Sequence, residues 1–273
     1  EEMQIRFRNM LKPFYGVLKT MDRAIRFALL TGVTKFGKVS VFSDLNNLDD
    51  ISMREPYAAI CGITETELRT HFDEDIHTLA SALERTYEEA RSLLRKRYDG
   101  YHFVAGGPGI YNPFSLLNTF KYMRPEDYWF ETGTPSYLVE LLKHTHYDLY
   151  ELANTETDAD VLNSIDSTSS NPVPVIYQSG YLTIKDYDSR FGIYKLGFPN
   201  LEVEEGFVKY LLPFYTSVSA PKTPFEIGRF VREVENGDYD AFFRRLQSFF
   251  ADTPYEVIAG QKPERDTELH YQN

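Results

Sequence analysis

Hydrophobic and polar positions change period several times along this chain, and each change predicts a different element. In residues 9–19 the apolar side chains Met10, Phe14, Val17 and Leu18 fall at helical spacing, which predicts a short helix with those four facing inward. The stretch Arg23 to Leu30 turns apolar towards its end and is closed by Thr31-Gly32, the pattern of a buried strand. Lys38 to Ser43 alternates and is rich in β-branched residues, which predicts a second strand. The pair predicts part of an α/β sheet, without the complete series of strand–helix units that a doubly wound fold needs.

The middle of the chain reads as helical. Thr64-Glu65-Thr66-Glu67 has the spacing of a capping box. Ile76, Leu79, Leu83, Tyr87, Ala90 and Leu94 then step by three or four residues as one apolar stripe, and Asp99-Gly100 ends that helix. Asn112-Pro113 and Thr134-Pro135 each set a cap residue before a proline at the first helical position, which predicts helices over Phe114 to Met123 and Ser136 to Lys143. Residues 153–172 are polar and rich in Asp, Asn, Ser and Thr, and read as a loop or linker. Val173 to Gln178, Tyr181 to Tyr187 and Phe191 to Leu196 read as strands, with Asp188-Ser189-Arg190 turning between the last two. Thr223-Pro224-Phe225-Glu226 reads as another capping box, and Gly237 separates two short helices reaching about Ala251.

Composition narrows the classes. With 273 residues, 42% hydrophobic and 26% charged, the chain is globular and long enough for one large domain or two ordinary ones. Its 41 acidic against 29 basic residues leave a net charge of -12, which repels phosphate backbones and argues against duplex binding through bulk charge. The single cysteine, Cys61, excludes an internal disulfide and a cysteine-built zinc site, and points to a reducing, cytoplasmic compartment. No apolar run approaches the roughly 20 residues needed to cross a bilayer, so no membrane partner is expected. The opening Glu1-Glu2-Met3-Gln4 lacks a signal pattern and does not begin at Met, and the chain is read as a fragment or processed product.

Candidate chemistry is sparse. Gly32-Val33-Thr34-Lys35-Phe36-Gly37-Lys38-Val39 matches the spacing of a phosphate loop, but Val39 stands where a Ser or Thr hydroxyl must bind Mg²⁺. The string also leads into a predicted strand, whereas a phosphate loop must open a helix whose amides hold the anion. It reads as a strand connection. Gly106-Gly107-Pro108-Gly109 reads as a loop tip. Asp44, Asp49 and Asp50, flanking Asn46-Asn47, read as an Asx-rich turn in preference to a metal site. Glu202, Glu204 and Glu205 sit at a predicted helix start, where the dipole favours acidic residues without any catalytic role. His144 and His146 form the only close histidine pair and have no third ligand at zinc spacing, so no metal site is expected. Tyr98 to Phe103 and Tyr128 to Pro135 concentrate aromatics with Gly and Asp. They read either as turns fastened onto a helical core or as a platform for a base or peptide.

The strings LLTGVTKFGKVSVFSDLNNLDDISM (Leu29–Met53), CGITETEL (Cys61–Leu68), YDGYHF (Tyr98–Phe103), YNPFSLLN (Tyr111–Asn118), YWFETGTPSYLV (Tyr128–Val139), YQSGYLTIKDYD (Tyr177–Asp188) and LGFPNLEVEEGF (Leu196–Phe207) follow one another in order. The series resembles the predicted AAA-ATPase-like family of bacteria, whose members join a P-loop ATPase core to a PD-(D/E)XK nuclease-like domain. The resemblance implies that the Walker A and Walker B motifs lie upstream of residue 1. It makes Thr31 a sensor-1 residue near the γ-phosphate, and Glu268 the acidic residue on the nuclease-like domain's first helix. It implies ATP and Mg²⁺ as cofactors of the intact protein, with none expected for this chain alone, and no cofactor-binding residue is assigned here. Arg54 and the Arg91–Arg97 cluster are candidates for an arginine finger or sensor 2, with no single position matched.

The resulting expectation is a mixed α/β and α architecture in five stretches. Residues 1–55 would end a P-loop ATPase sheet, 56–152 form a helical, winged-helix-like lid, and 153–172 a polar linker. Residues 173–220 would form a small β-hairpin or winged region, and 221–273 helices leading into a truncated nuclease-like domain. ATP hydrolysis in the intact protein would be coupled to the nuclease-like domain, while this chain alone is expected to be inactive. Its partners would be the other domains of its own chain, with nucleic acid reached through the nuclease-like domain. The alternative is a non-enzymatic interaction module or a nucleic-acid-associated winged-helix-like module.

Overall fold

The computed structural model describes residues 2–32, 48–131, 138, 141–142, 145, 152, 154–163, 171–215 and 222–251. The predicted strand Lys38–Ser43, most of the glycine-containing string before it, the Thr134-Pro135 cap, His144, His146 and Glu268 lie outside these residues. The chain is mixed α/β, mainly helical, with small antiparallel sheets. It divides into two compact units, Glu1–Trp129 with Asp148–Glu202, and Phe130–Tyr147 with Val203–Asn273.

In the first unit, helix α1 (Glu2–Thr20) is longer than expected, and its Met10, Phe14 and Val17 are exposed where the spacing placed them inward. The predicted strand Arg23–Leu30 is not one. Asp22–Ala24 make a 3₁₀ turn, and residues 25–32 run irregularly with Phe27, Leu29 and Leu30 exposed. A strand's amides and carbonyls need a neighbouring strand, and no described strand pairs with this segment.

The helical core follows. Strand β1 (Ile63–Thr64) pairs antiparallel with β2 (Ile110–Tyr111). Helix α2 (Glu65–His71) starts at the predicted capping box: Thr64 Oγ1 accepts from the Glu67 amide, and the Glu67 carboxylate accepts from the Thr64 amide at 2.9 Å. The single long helix read from the apolar stripe is two helices, α3 (Asp73–Ala82) and α4 (Tyr87–Tyr98). Glu84 takes a positive φ of 53°, and a second capping box, Thr86 with Glu89, restarts the helix. The stripe survives the break because both helices turn it to one core of Leu68, Ile76, Leu79, Ala90, Leu94, Tyr98, Tyr111, Leu116 and Phe120. Helix α5 (Pro113–Tyr122) is capped by Asn112, whose Oδ1 accepts from the Phe114 and Ser115 amides, and α6 (Tyr128–Glu131) follows.

The polar stretch read as a linker contributes strand β3 (Glu156–Asp158) and helix α7 (Ala159–Asn163). Val173 to Gln178, read as a strand, is helix α8 (Val173–Gln178). Pro172 at its cap and Pro174 in its first turn fix helical φ where no amide is needed, and this outweighs the β-branched pattern. The two following strands are present as β4 (Thr183–Asp188) and β5 (Ile193–Gly197), giving a three-stranded antiparallel sheet in the order β3-β5-β4. Their turn forms as expected, with Asp188 Oδ1 accepting from the Arg190 amide at 2.9 Å. Helix α9 (Leu201–Tyr215) begins in this unit.

The second unit contains the remainder of α9 with α10 (Thr223–Glu235) and α11 (Tyr239–Ala251). Thr223 is not the cap of α10. Lys222 holds that position without a side-chain hydrogen bond, and Thr223 is buried inside the first turn. Gly237 turns the chain at φ 71°, as expected. Helices α10 and α11 are held by an edge-to-face pair of Phe230 and Phe242, and by Arg245, which donates to Glu233 at 2.6 Å and to Glu226 at 3.2 Å.

Gly100 joins the helical core to the sheet region. It takes φ 110°, and a Cβ there would overlap the Pro199 carbonyl oxygen. Gly100→Ala is expected to lower unfolding free energy by about 2 kcal/mol or more, from backbone strain and the forced shift of Pro199 together. Chemical denaturation of the 273-residue chain measures it, and an unchanged midpoint would contradict the close approach.

Candidate functional site

The residue with the least ordinary environment is Glu202, which the sequence groups with Glu204 and Glu205 at a helix start. Glu202 stands in the first turn of α9 and is fully buried. Its Oε1 accepts from Ser115 Oγ on α5 at 2.8 Å and from the Trp129 amide on α6 at 2.8 Å. Its Oε2 is buried with no hydrogen-bond partner. Burial drives the carboxyl up to about 7, against the pull of its two donors, because an anion loses more than a neutral acid on leaving water. Asp127 pushes in the same direction and Arg97 opposes it, and these two form an ion pair with each other.

Two tyrosines, Tyr98 and Tyr101, feel the charge of this carboxyl. Tyr98, fully buried at the end of α4, accepts from Thr119 Oγ1 and donates to the Glu126 carbonyl, both at 2.9 Å. Burial raises its hydroxyl to about 12, and it raises that of Tyr101 as well, with a further push from Glu202. Both therefore stay neutral donors at ordinary pH. The residue after Tyr101 is fixed from the sheet side: Thr183 Oγ1 donates to the His102 carbonyl at 3.0 Å and accepts from its amide at 2.7 Å. Lys185 Nζ donates to the Pro199 carbonyl at 3.1 Å. Trp129 packs edge-on to Tyr181 with ring centroids 5.2 Å apart. Of the two readings of the aromatic strings, turns fastened onto a core describes Tyr98 and Tyr128, which are buried; Phe103 is exposed.

The residues singled out in the sequence are scattered. Thr31 lies on exposed irregular backbone. Arg54 pairs with Asp49 at 2.5 Å, Arg91 lies 3.4 Å from Glu65, and Arg95 lies 3.7 Å from Asp99. Asp50 Oδ1 accepts from the Ser52 amide, as an Asx turn does. Gly106, at φ 70°, turns the loop between Tyr101 and Ile110, which bridge antiparallel. His102 Nδ1 lies 3.0 Å from the Gly107 carbonyl oxygen. Among the described residues no three His, Cys, Asp or Glu side chains come together as a metal-holding group. At the start of α9, where the dipole favours acidic residues, Glu204 is exposed and Glu205 half-buried, but Glu202 is buried. One local signal separates it: Gly206, one turn on and also buried, marks the tightly packed face of α9.

The family model for AAA-ATPase-like proteins, described as predicted AAA-ATPase, matches residues 1–42. The chain is similar to a bacterial homologue, an "Uncharacterized protein in vnfD 5'region" of Azotobacter chroococcum mcd 1. The two are 34% identical over 258 residues, covering 93% of this chain and 47% of that protein. The chain thus spans about half the length of the curated relative it matches. No solved structure matches. No described helix is long and apolar enough to cross a membrane.

Two outcomes follow from the Glu202 geometry. Glu202→Ala leaves the buried Ser115 hydroxyl and the part-buried Trp129 amide without their acceptor, and is expected to cost about 2–4 kcal/mol at pH 6 by urea denaturation. A native carboxyl near 7, against an ordinary 4.5, binds its proton more tightly folded than unfolded. Its stabilising contribution is full below the unfolded value and is lost as pH rises through the folded one. The advantage of Glu202→Gln over the parent should therefore grow between pH 5 and pH 8, by an amount on the order of 3 kcal/mol. Parallel pH profiles for the two proteins would contradict it.

Proposed function

We propose that this chain is the part of an AAA-ATPase-like protein that follows its nucleotide-gripping motifs, and that it relays the nucleotide state of the core to an output domain. The observation that supports this reading is the position of the family match, confined to residues 1–42 at the N-terminal end, with a folded helical unit after it. The relative of twice the length is consistent with further domains in the intact protein.

In this reading ATP and Mg²⁺ are held by a Walker A loop and a Walker B strand upstream. The residues of this chain fit that role poorly. Val39 lacks the side-chain hydroxyl that such a loop gives to Mg²⁺, and Thr31 lies on exposed irregular backbone. No hydrolytic step is therefore assigned to it. Thr31 would act as sensor 1 only when the upstream core orders the backbone around it. Helices α2 to α5 with the β1–β2 pair would form the winged-helix-like lid, and Glu268 would open a nuclease-like domain through which nucleic acid is reached.

A second reading, a non-enzymatic interaction module, is favoured by one observation. Phe7, Met10, Phe14 and Val17 on α1, and Phe27, Leu29 and Leu30 after it, are exposed. Such a series of apolar side chains suits contact with another protein surface.

Isothermal calorimetry of residues 1–273 with Mg-ATP separates a relay from a complete motor. The expected result is no saturable heat, meaning an affinity weaker than about 1 mM. A micromolar dissociation constant would overturn the reading.

A further inference from the structure

Glu202 occupies a particular place in the chain's path. The first unit consists of Glu1–Trp129 and Asp148–Glu202, so the chain leaves it after Trp129 and again after Glu202. The Glu202 side chain accepts the Trp129 amide, so one carboxyl fastens the last residue before each exit to the other. Ser115, fully buried on α5, anchors the same oxygen to the helical core. We propose that the Glu202 carboxyl is a protonation-controlled latch on the two exits of the first unit: neutral, it stays dry and holds both; ionised, it draws water to its unpartnered oxygen and loosens them.

The groups facing the latch set its response. Arg97 and Tyr98 act on it from α4, Tyr101 from the segment after α4, Ser115 from α5, and Asp127 and the Trp129 amide from the start of α6. Arg97 is paired with Asp127, and the two act on Glu202 in opposite directions. The two neutral donors both bind Oε1 and favour the anion, but Oε2 has none. Burial therefore decides the balance, and the switching range falls near neutrality.

Trp129 is the only tryptophan in the chain and carries the latched amide, so its fluorescence reports on the latch directly. The emission of the 273-residue protein, excited selectively at tryptophan, is followed from about pH 5 to about pH 9. A transition with a midpoint near 7 is expected in the parent, and a flat profile in Glu202→Gln. Ser115→Ala removes a donor that favours the anion, and should move the midpoint to higher pH. A transition that persists unchanged in Glu202→Gln, or that moves to lower pH in Ser115→Ala, would overturn the proposal. Should Glu202→Gln fail to fold, hydrogen exchange at the Trp129 amide in the parent decides. Protection, corrected for intrinsic rates, should fall through the same pH range; constant protection would overturn the latch.

Discussion

Taking a carboxyl group out of water is among the costlier things a small core can do, and the first unit is arranged around that cost. An ionised Glu202 with two donors on one oxygen and none on the other would be poorly compensated. Keeping the proton is the cheaper state, and it leaves Oε1 free to accept from α5 and α6 together. Three helix beginnings, those of α5, α6 and α9, are thus brought to a single acceptor. The order of Tyr98 and Tyr101 follows from the same dryness. Their hydroxyls stay neutral, and Tyr98 finds partners in Thr119 and the Glu126 carbonyl.

The segment Tyr98 to Phe103 has the complementary task of tying the helical core to the sheet. Tyr98 ends α4 inside the core, Gly100 passes against the Pro199 carbonyl, and His102 exchanges two hydrogen bonds with Thr183 on β4. Each of these requires a specific residue type. The tyrosine must span from core to backbone, the glycine must take positive φ without a Cβ, and the threonine hydroxyl must both donate and accept. The density of aromatics, Gly and Asp in this string therefore follows from packing, and a recognition platform is not needed to account for it.

The described residues bring together no metal-holding group, and Arg91, Arg95 and Arg97 of α4 are each engaged with carboxylates. The family match covers residues 1–42, and the buried helical core lies further along the chain, from Leu68 to Phe120.

The caps at Thr64 and Asn112, the turn at Asp188-Ser189-Arg190 and the break at Gly237 were all legible in the sequence, because each is decided by a few neighbouring residues competing for nearby backbone groups. Patterns spanning more than one turn were less faithful. The apolar stripe over 76–94 named the core residues correctly but hid the break at Glu84. The β-branched run at 173–178 concealed a helix that its prolines start. Arg23 to Leu30 had a strand's composition without a described strand to pair with. Glu202 was the least legible. Its donors lie 87 and 73 residues away, and a glutamate in a first helical turn looks the same whether it meets water or a core. Local sequence thus determined where backbone hydrogen bonds begin and end, whereas the surroundings of each side chain, and with them its charge, were decided only when distant segments closed around it.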